Sequence, residues 1–93
     1  MAISEIHPRI TRFRELWTLM RTHTKERKPV DGELLAEFSI LNPSHYLTHD
    51  LLGDYMLAMG DKAQAATHWR RALELEIPHE HERATIEKKI RKI

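Results

Sequence analysis

Apolar residues recur at helical spacing along most of this chain. Ile10, Phe13, Trp17 and Met20 fall at i, i+3, i+7 and i+10, with Leu16 and Leu19 beside them. That stripe predicts a helix from about Pro8 to Thr24, with Pro8 in the first turn, where its missing N–H is not needed. Lys25-Glu26-Arg27-Lys28-Pro29 reads as a charged connector. Asp31 is placed to cap a second helix, and Val30 and Leu35 are spaced as a hydrophobic staple around it. Leu34, Leu35, Phe38 and Leu41 form its apolar stripe, and Asn42-Pro43 ends it. Ser44 is the expected cap of a third helix over residues 45–59, with Leu52, Met56 and Met59 on one face. Gly60 closes that helix, and Asp61 with Gln64 three residues on starts a fourth. Ala65, Trp69, Ala72 and Leu73 point one way along it until Ile77-Pro78 is expected to stop it. The last segment, His79 to Ile93, carries Ile86, Ile90 and Ile93 on a narrow stripe. Glu80 and Glu82 stand at its start and Lys88, Lys89, Arg91 and Lys92 at its end, the order that complements a helix dipole.

The pattern predicts an all-α fold of about five helices, arranged as antiparallel pairs in a single domain over residues 1–93. Composition narrows this further. Glycine (3) and proline (4) are scarce, as expected for long helices with few turns. Hydrophobic content of 41% with 31% charged residues suits a folded chain rather than a disordered one. With 93 residues the core is small. The absence of cysteine removes disulfides, thiolate nucleophiles and cysteine zinc sites. No apolar run approaches the roughly 20 residues of a membrane helix, and the first residues lack the basic-then-apolar order of a signal peptide. The expectation is a cytoplasmic protein without membrane contact.

Charge is unevenly spread. Residues 1–30 carry +4, residues 31–66 carry −5 and residues 67–93 carry +2. An acidic middle between basic ends points to electrostatic pairing within the chain or between copies of it. It does not suit a nucleic-acid binder, which is basic overall with interleaved aromatics.

Residues 46–79 resemble a tetratricopeptide repeat, a helix–turn–helix unit of about 34 residues. Leu52-Gly53 stands at the repeat's Leu-Gly pair, Gly60-Asp61 at the turn, and Ala65 at the small position on which the first helix rests. Trp69 fills the large aromatic position, Ala72-Leu73 matches the Ala-Leu pair, and Pro78 ends the unit one residue late. His49 and Met56 depart from the pattern, which favours aromatic residues there. Residues 12–45 look like a degenerate preceding repeat, with Pro43 in phase, and residues 80–93 like a capping helix. The resemblance implies a fragment of a right-handed superhelix and a protein-binding role. The order of a basic, Trp-containing helix, an Asp-Gly-Glu-Leu-Leu helix and a repeat-like tail is also similar to the C-terminal ends of some bacterial penicillin-acyltransferase-like hydrolases. Those enzymes use an N-terminal cysteine nucleophile that this chain lacks, so that likeness implies a non-catalytic accessory domain or fragment.

The candidate chemistry is sparse. His45 and His49 have the i, i+4 spacing that can hold zinc and His79 and His81 are neighbours, but no third ligand or His-Glu-x-x-His pattern accompanies them. The expectation is no metal and no cofactor, with His49 at a helix interface and the other histidines in solvent. Trp17 and Trp69, among Leu, Met and Ala, are core positions rather than stacking platforms. Arg9, Arg12, Arg14, Arg21, Lys25, Arg27 and Lys28 form a basic strip, but the aromatics among them lie on the buried stripe, which disfavours RNA binding. Asp50 and Asp54 share one helix, whereas a glycosidase needs its carboxylates across a cleft.

In a tetratricopeptide pair the first helices line the concave side. Here that face comprises Leu47, Asp50, Leu51, Asp54 and Leu57. Two aspartates there disfavour a carboxylate clamp and favour a basic segment, such as the Arg-rich first helix of another copy. With fewer than three repeats an exposed apolar flank is expected, and with it a homodimer. The sequence therefore points to a non-enzymatic protein–protein interaction or scaffolding module.

Overall fold

The structure, a computed structural model, describes residues 8–93. It contains five α-helices in chain order: α1 (Pro8–Glu26), α2 (Gly32–Leu41), α3 (Tyr46–Ala58), α4 (Lys62–Leu73) and α5 (Glu80–Lys92). There is no strand among the described residues, and none of these helices is long and apolar enough to cross a membrane. α1 packs on α2 and α3, α2 also touches α3, α3 packs on α4, and α4 on α5.

Several ends form as the sequence implies. Asp31 caps α2, its carboxylate accepting from the Glu33 amide at 2.9 Å, and Asp61 caps α4 through the Gln64 amide at 3.0 Å. Gly60 adopts φ +87°, and the amides of Gly60 and Asp61 donate to the carbonyls of Leu57 and Met56. These two bonds close α3 in a Schellman motif, which needs a left-handed residue.

Three ends differ. α1 runs on to Glu26, taking in part of the expected connector, and closes with the same two-bond motif on Arg27, whose φ is +57°. A non-glycine residue is rare there, so sequence reasoning finds no stop signal. α3 is capped by His45, not Ser44: the His45 ring Nδ1 accepts from the Leu47 amide at 3.1 Å. α4 stops at Leu73, short of Ile77-Pro78. Its last turn tightens through bonds from Glu74 and Leu75 to the carbonyls of Arg71 and Ala72, and Arg83 of α5 donates to the Leu73 carbonyl. A cation supplied from another helix thus takes up an end carbonyl that further helix would otherwise satisfy.

Two core clusters meet at α3. Leu16, Met20, Val30, Phe38, Leu51, Leu52 and Tyr55 fill the space between α1, α2 and α3. Tyr46, Ala65, Trp69, Ala72 and Ile86 fill that between α3, α4 and α5. Met56 packs against both. α3 is therefore buried on two sides, and Leu51, Tyr55 and Tyr46 join the stripe that the sequence assigned to Leu52, Met56 and Met59. Tyr55 also accepts a hydrogen bond from the Val30 amide at 2.8 Å, tying the α1–α2 connector to α3. Tyr46 donates to Glu82, tying α3 to α5.

α3 and α4 approach closely because residue 53 is glycine. A Cβ built there lies 2.2 Å from Trp69 Nε1, in a space that the indole already fills. Trp69 is 1% exposed and donates from Nε1 to the Asp50 carbonyl at 3.2 Å. Gly53→Ala is expected to cost about 1–3 kcal/mol by overpacking, more than the ~1 kcal/mol that alanine gains in helix propensity. Gly32→Ala, where nothing lies within 4 Å, serves as the control that does not lose stability. Urea unfolding of the two variants checks this; equal midpoints would show that the close approach is not required.

Candidate functional site

Four of the five residues of the expected partner face, all but Asp50, border three shallow depressions. The largest, about 560 Å³, lies between α1 and α3 and is bordered by Trp17, Thr18, Arg21, Lys25, Leu51 and Asp54. A second, about 320 Å³, continues past Trp17 to Ile10, Phe13, Arg14 and Leu47. A third, about 230 Å³, lies beside α5 and is bordered by Leu57, Trp69, Lys89 and Ile93.

Within the expected face the residues have different fates. Leu51 is buried in the core, Leu47 is half-buried and Leu57 is 41% exposed. Asp50 and Asp54 are occupied. Lys89 Nζ lies 2.9 Å from Asp50 Oδ1 and 3.0 Å from Asp54 Oδ1, and 5.8 Å from the Trp69 ring centroid. α3 supplies the carboxylates one helical turn apart, and α5 delivers the ammonium, which also lies over the Trp69 ring. The intrachain pairing suggested by the charge distribution takes this form, and again between α1 and α2. There Arg12 donates to both carboxylate oxygens of Glu37 at 2.6 and 2.8 Å, and Arg9 donates to the Leu41 carbonyl at the end of α2.

One ammonium faces two carboxylates, which leaves one of them incompletely compensated. Burial pushes the Asp54 carboxyl up; the Lys89 charge opposes this and the Asp50 charge reinforces it, and the net direction is up. For Lys89, burial is the largest influence and acts downward, but the bonds and charges of Asp50 and Asp54 together outweigh it and hold the ammonium protonated. At the α1–α2 clamp, the bond from Arg12 holds Glu37 below the usual carboxylate range.

The repeat positions are mostly interior. Leu52, Gly53, Ala65, Trp69 and Ala72 are buried, Leu73 is half-buried, and Gly60 and Pro78 are at the surface. Of the histidines, His45 caps α3. His49 stacks on His68 of α4 at 6.3 Å between centroids, and its Nε2 bonds the Pro43 carbonyl. Thr48, fully buried, donates to the Asn42 carbonyl. Sequence reasoning missed Thr48, His68 and Lys89, because their partners lie on other elements. The opposite charges of residues 31–66 and 67–93 were the only signal for Lys89. No group of three or more potential metal ligands exists among the described residues. No protein-family model matches the chain, and comparison with curated proteins and with solved structures finds no match either.

Lys89→Met leaves two carboxylates facing one another. It is expected to lower stability by about 1–3 kcal/mol, and much of the loss should return in the double variant with Asp54→Asn. A denaturation cycle showing no coupling would remove Lys89 as a link. His68 gives a second test. Burial, then the proximity of His49, lowers its pKa, so the unfolded chain takes up the proton first as pH falls. This contribution is present above the ordinary histidine value of about 6.5 and is lost as pH falls through the lower folded value. Melting temperature should therefore drop between pH 7.5 and 5.5, and the drop should be smaller in His68→Gln; identical slopes would contradict the assignment.

Proposed function

We propose that the chain is a non-enzymatic protein–protein interaction module, in which tetratricopeptide-like helix packing presents the α1–α3 side to a protein segment. The observation that carries this reading is the pair of depressions sharing Trp17, bordered by Leu47, Leu51 and Asp54 of α3. Three of the five residues that the repeat resemblance places on a concave face thus border these two depressions. The packing order supports the superhelical reading: α3 sits against both helices of the preceding pair, as the first helix of a following repeat does. The close approach at Gly53 is the role that the repeat's glycine plays. Ile10 (54% exposed) and Leu57 (41%) supply uncovered apolar surface on this side.

The test is selection from a displayed random peptide library, followed by mapping on isotope-labelled protein. Selected peptides are expected to shift the signals of Trp17, Thr18 and Leu51, and to lose at least tenfold in affinity against Thr18→Tyr. That variant fills the larger depression from an exposed position on α1. Recovery of no binding peptide, or shifts confined to the outer faces of α2 and α4, would overturn the reading.

A further inference from the structure

With Lys89 seated on Asp50 and Asp54, the free charge on the α1–α3 side has the opposite sign to that which the sequence of α3 suggests. The groove is bordered along α1 by Arg14, Arg21 and Lys25. None of these three has an ion-pair or hydrogen-bond partner among the described residues. They fall at i, i+7 and i+11, so they share one stripe of α1 and are separated by roughly 10 and 6 Å along the helix axis. Beside Arg14 the lining is mostly apolar, with Ile10, Phe13, Trp17 and Leu47, and beside Arg21 and Lys25 it is mixed, with Trp17 and the edge of Leu51 among Thr18, Thr22 and Thr24. The one carboxylate on the opposite wall, Asp54, shares Lys89 with Asp50, so three cations on α1 face a wall whose charge is partly neutralised.

Resting on the interaction-module reading, we infer that this groove receives an acidic amphipathic helix of another protein. Its apolar side chains would cover Trp17 and Leu47, and its Asp or Glu side chains, spaced by two turns and then one, would pair with Arg14, Arg21 and Lys25. Exposed pairs of this kind act mainly on partner choice, association rate and salt dependence, while the apolar lining around Trp17 and Leu47 supplies most of the affinity. Single-stranded nucleic acid is a poorer match. It needs aromatic faces open for stacking, whereas Trp17 packs at 5.9 Å from Phe13 and 6.2 Å from Phe38.

The experiment uses three fluorescein-labelled probes and fluorescence anisotropy. The first is an 18-residue helical peptide with Leu and Phe on one face and Glu at i, i+7 and i+11 on its flank. The second carries Lys in place of each Glu, and the third is a 12-nucleotide oligouridine. The Glu peptide is expected to bind at least tenfold more tightly than the Lys peptide and to weaken between 0.05 and 0.5 M salt. The double variant Arg14→Glu, Arg21→Glu, at two exposed and unpaired positions, is expected to reverse the preference while keeping the wild-type circular dichroism. Preference for the Lys peptide would overturn the inference and leave the interaction reading standing. Tighter binding of oligouridine than of the Glu peptide would also overturn it. Failure of all three probes at millimolar concentration, with peptides recovered from the library, would overturn the acidic partner alone; failure of both experiments would overturn the module as well.

Discussion

The contact between Gly53 and Trp69 sets the geometry on which the rest of the fold depends. Trp69 is the largest fully buried side chain, and its indole lies where a Cβ on residue 53 would be. Because glycine leaves that space open, α4 comes close enough for the indole to bond the backbone of α3 at Asp50. That bond satisfies the indole N–H, which would otherwise be a buried donor without a partner. It also fixes the side of α3 from which α5 is reached, since α5 packs on α4. A small domain has little area with which to define one arrangement, so a single interlocking contact of this size carries a large share of the definition.

From that contact the electrostatics follow. α5 is placed so that Lys89 crosses Trp69 and ends between Asp50 and Asp54. The pairing is half-buried, where Coulomb attraction is less screened than at the open surface. At the other end of the chain, Arg12 grips Glu37 and Arg9 caps the end of α2. The acidic middle of the sequence is thus drawn on from both sides by the chain's own cations. Among the charges left without a partner, Arg14, Arg21 and Lys25 form a stripe on α1 beside the groove, so the local charge there differs from what the acidic sequence of α3 suggests.

The groove next to this stripe is shallow and open, apolar around Trp17 and Leu47, lined by threonines further along α1, and charged at its borders. Such an open surface does not have the enclosed shape of a small-molecule pocket, and it suits the proposed contact with a helix face. Its walls, α1 and α3, share the first core cluster, and α3 also takes part in the second through Tyr46 and Met56. Groove and fold therefore share one supporting element, and perturbing α3 from either side is felt at the groove.

The sequence by itself determined the number and type of elements, because helical periodicity, caps and breakers act within a few residues of one another. Asp31, Gly60 and Asp61 were legible for that reason, as was the interior position of Trp69 among small residues. Arg27 in a left-handed conformation, His45 as a cap in place of Ser44, and the stop of α4 at Leu73 were not. Each depends on the tertiary setting or on a residue type that gives no local signal. The candidate site divides in the same way. The repeat resemblance placed Leu47, Leu51 and Asp54 on one face, and the sequence read that face as acidic. Only the tertiary structure brought Lys89 from 35 residues away onto Asp54 and partly neutralised that face, because an ion pair between helices depends on the packing angle and depth that the core imposes.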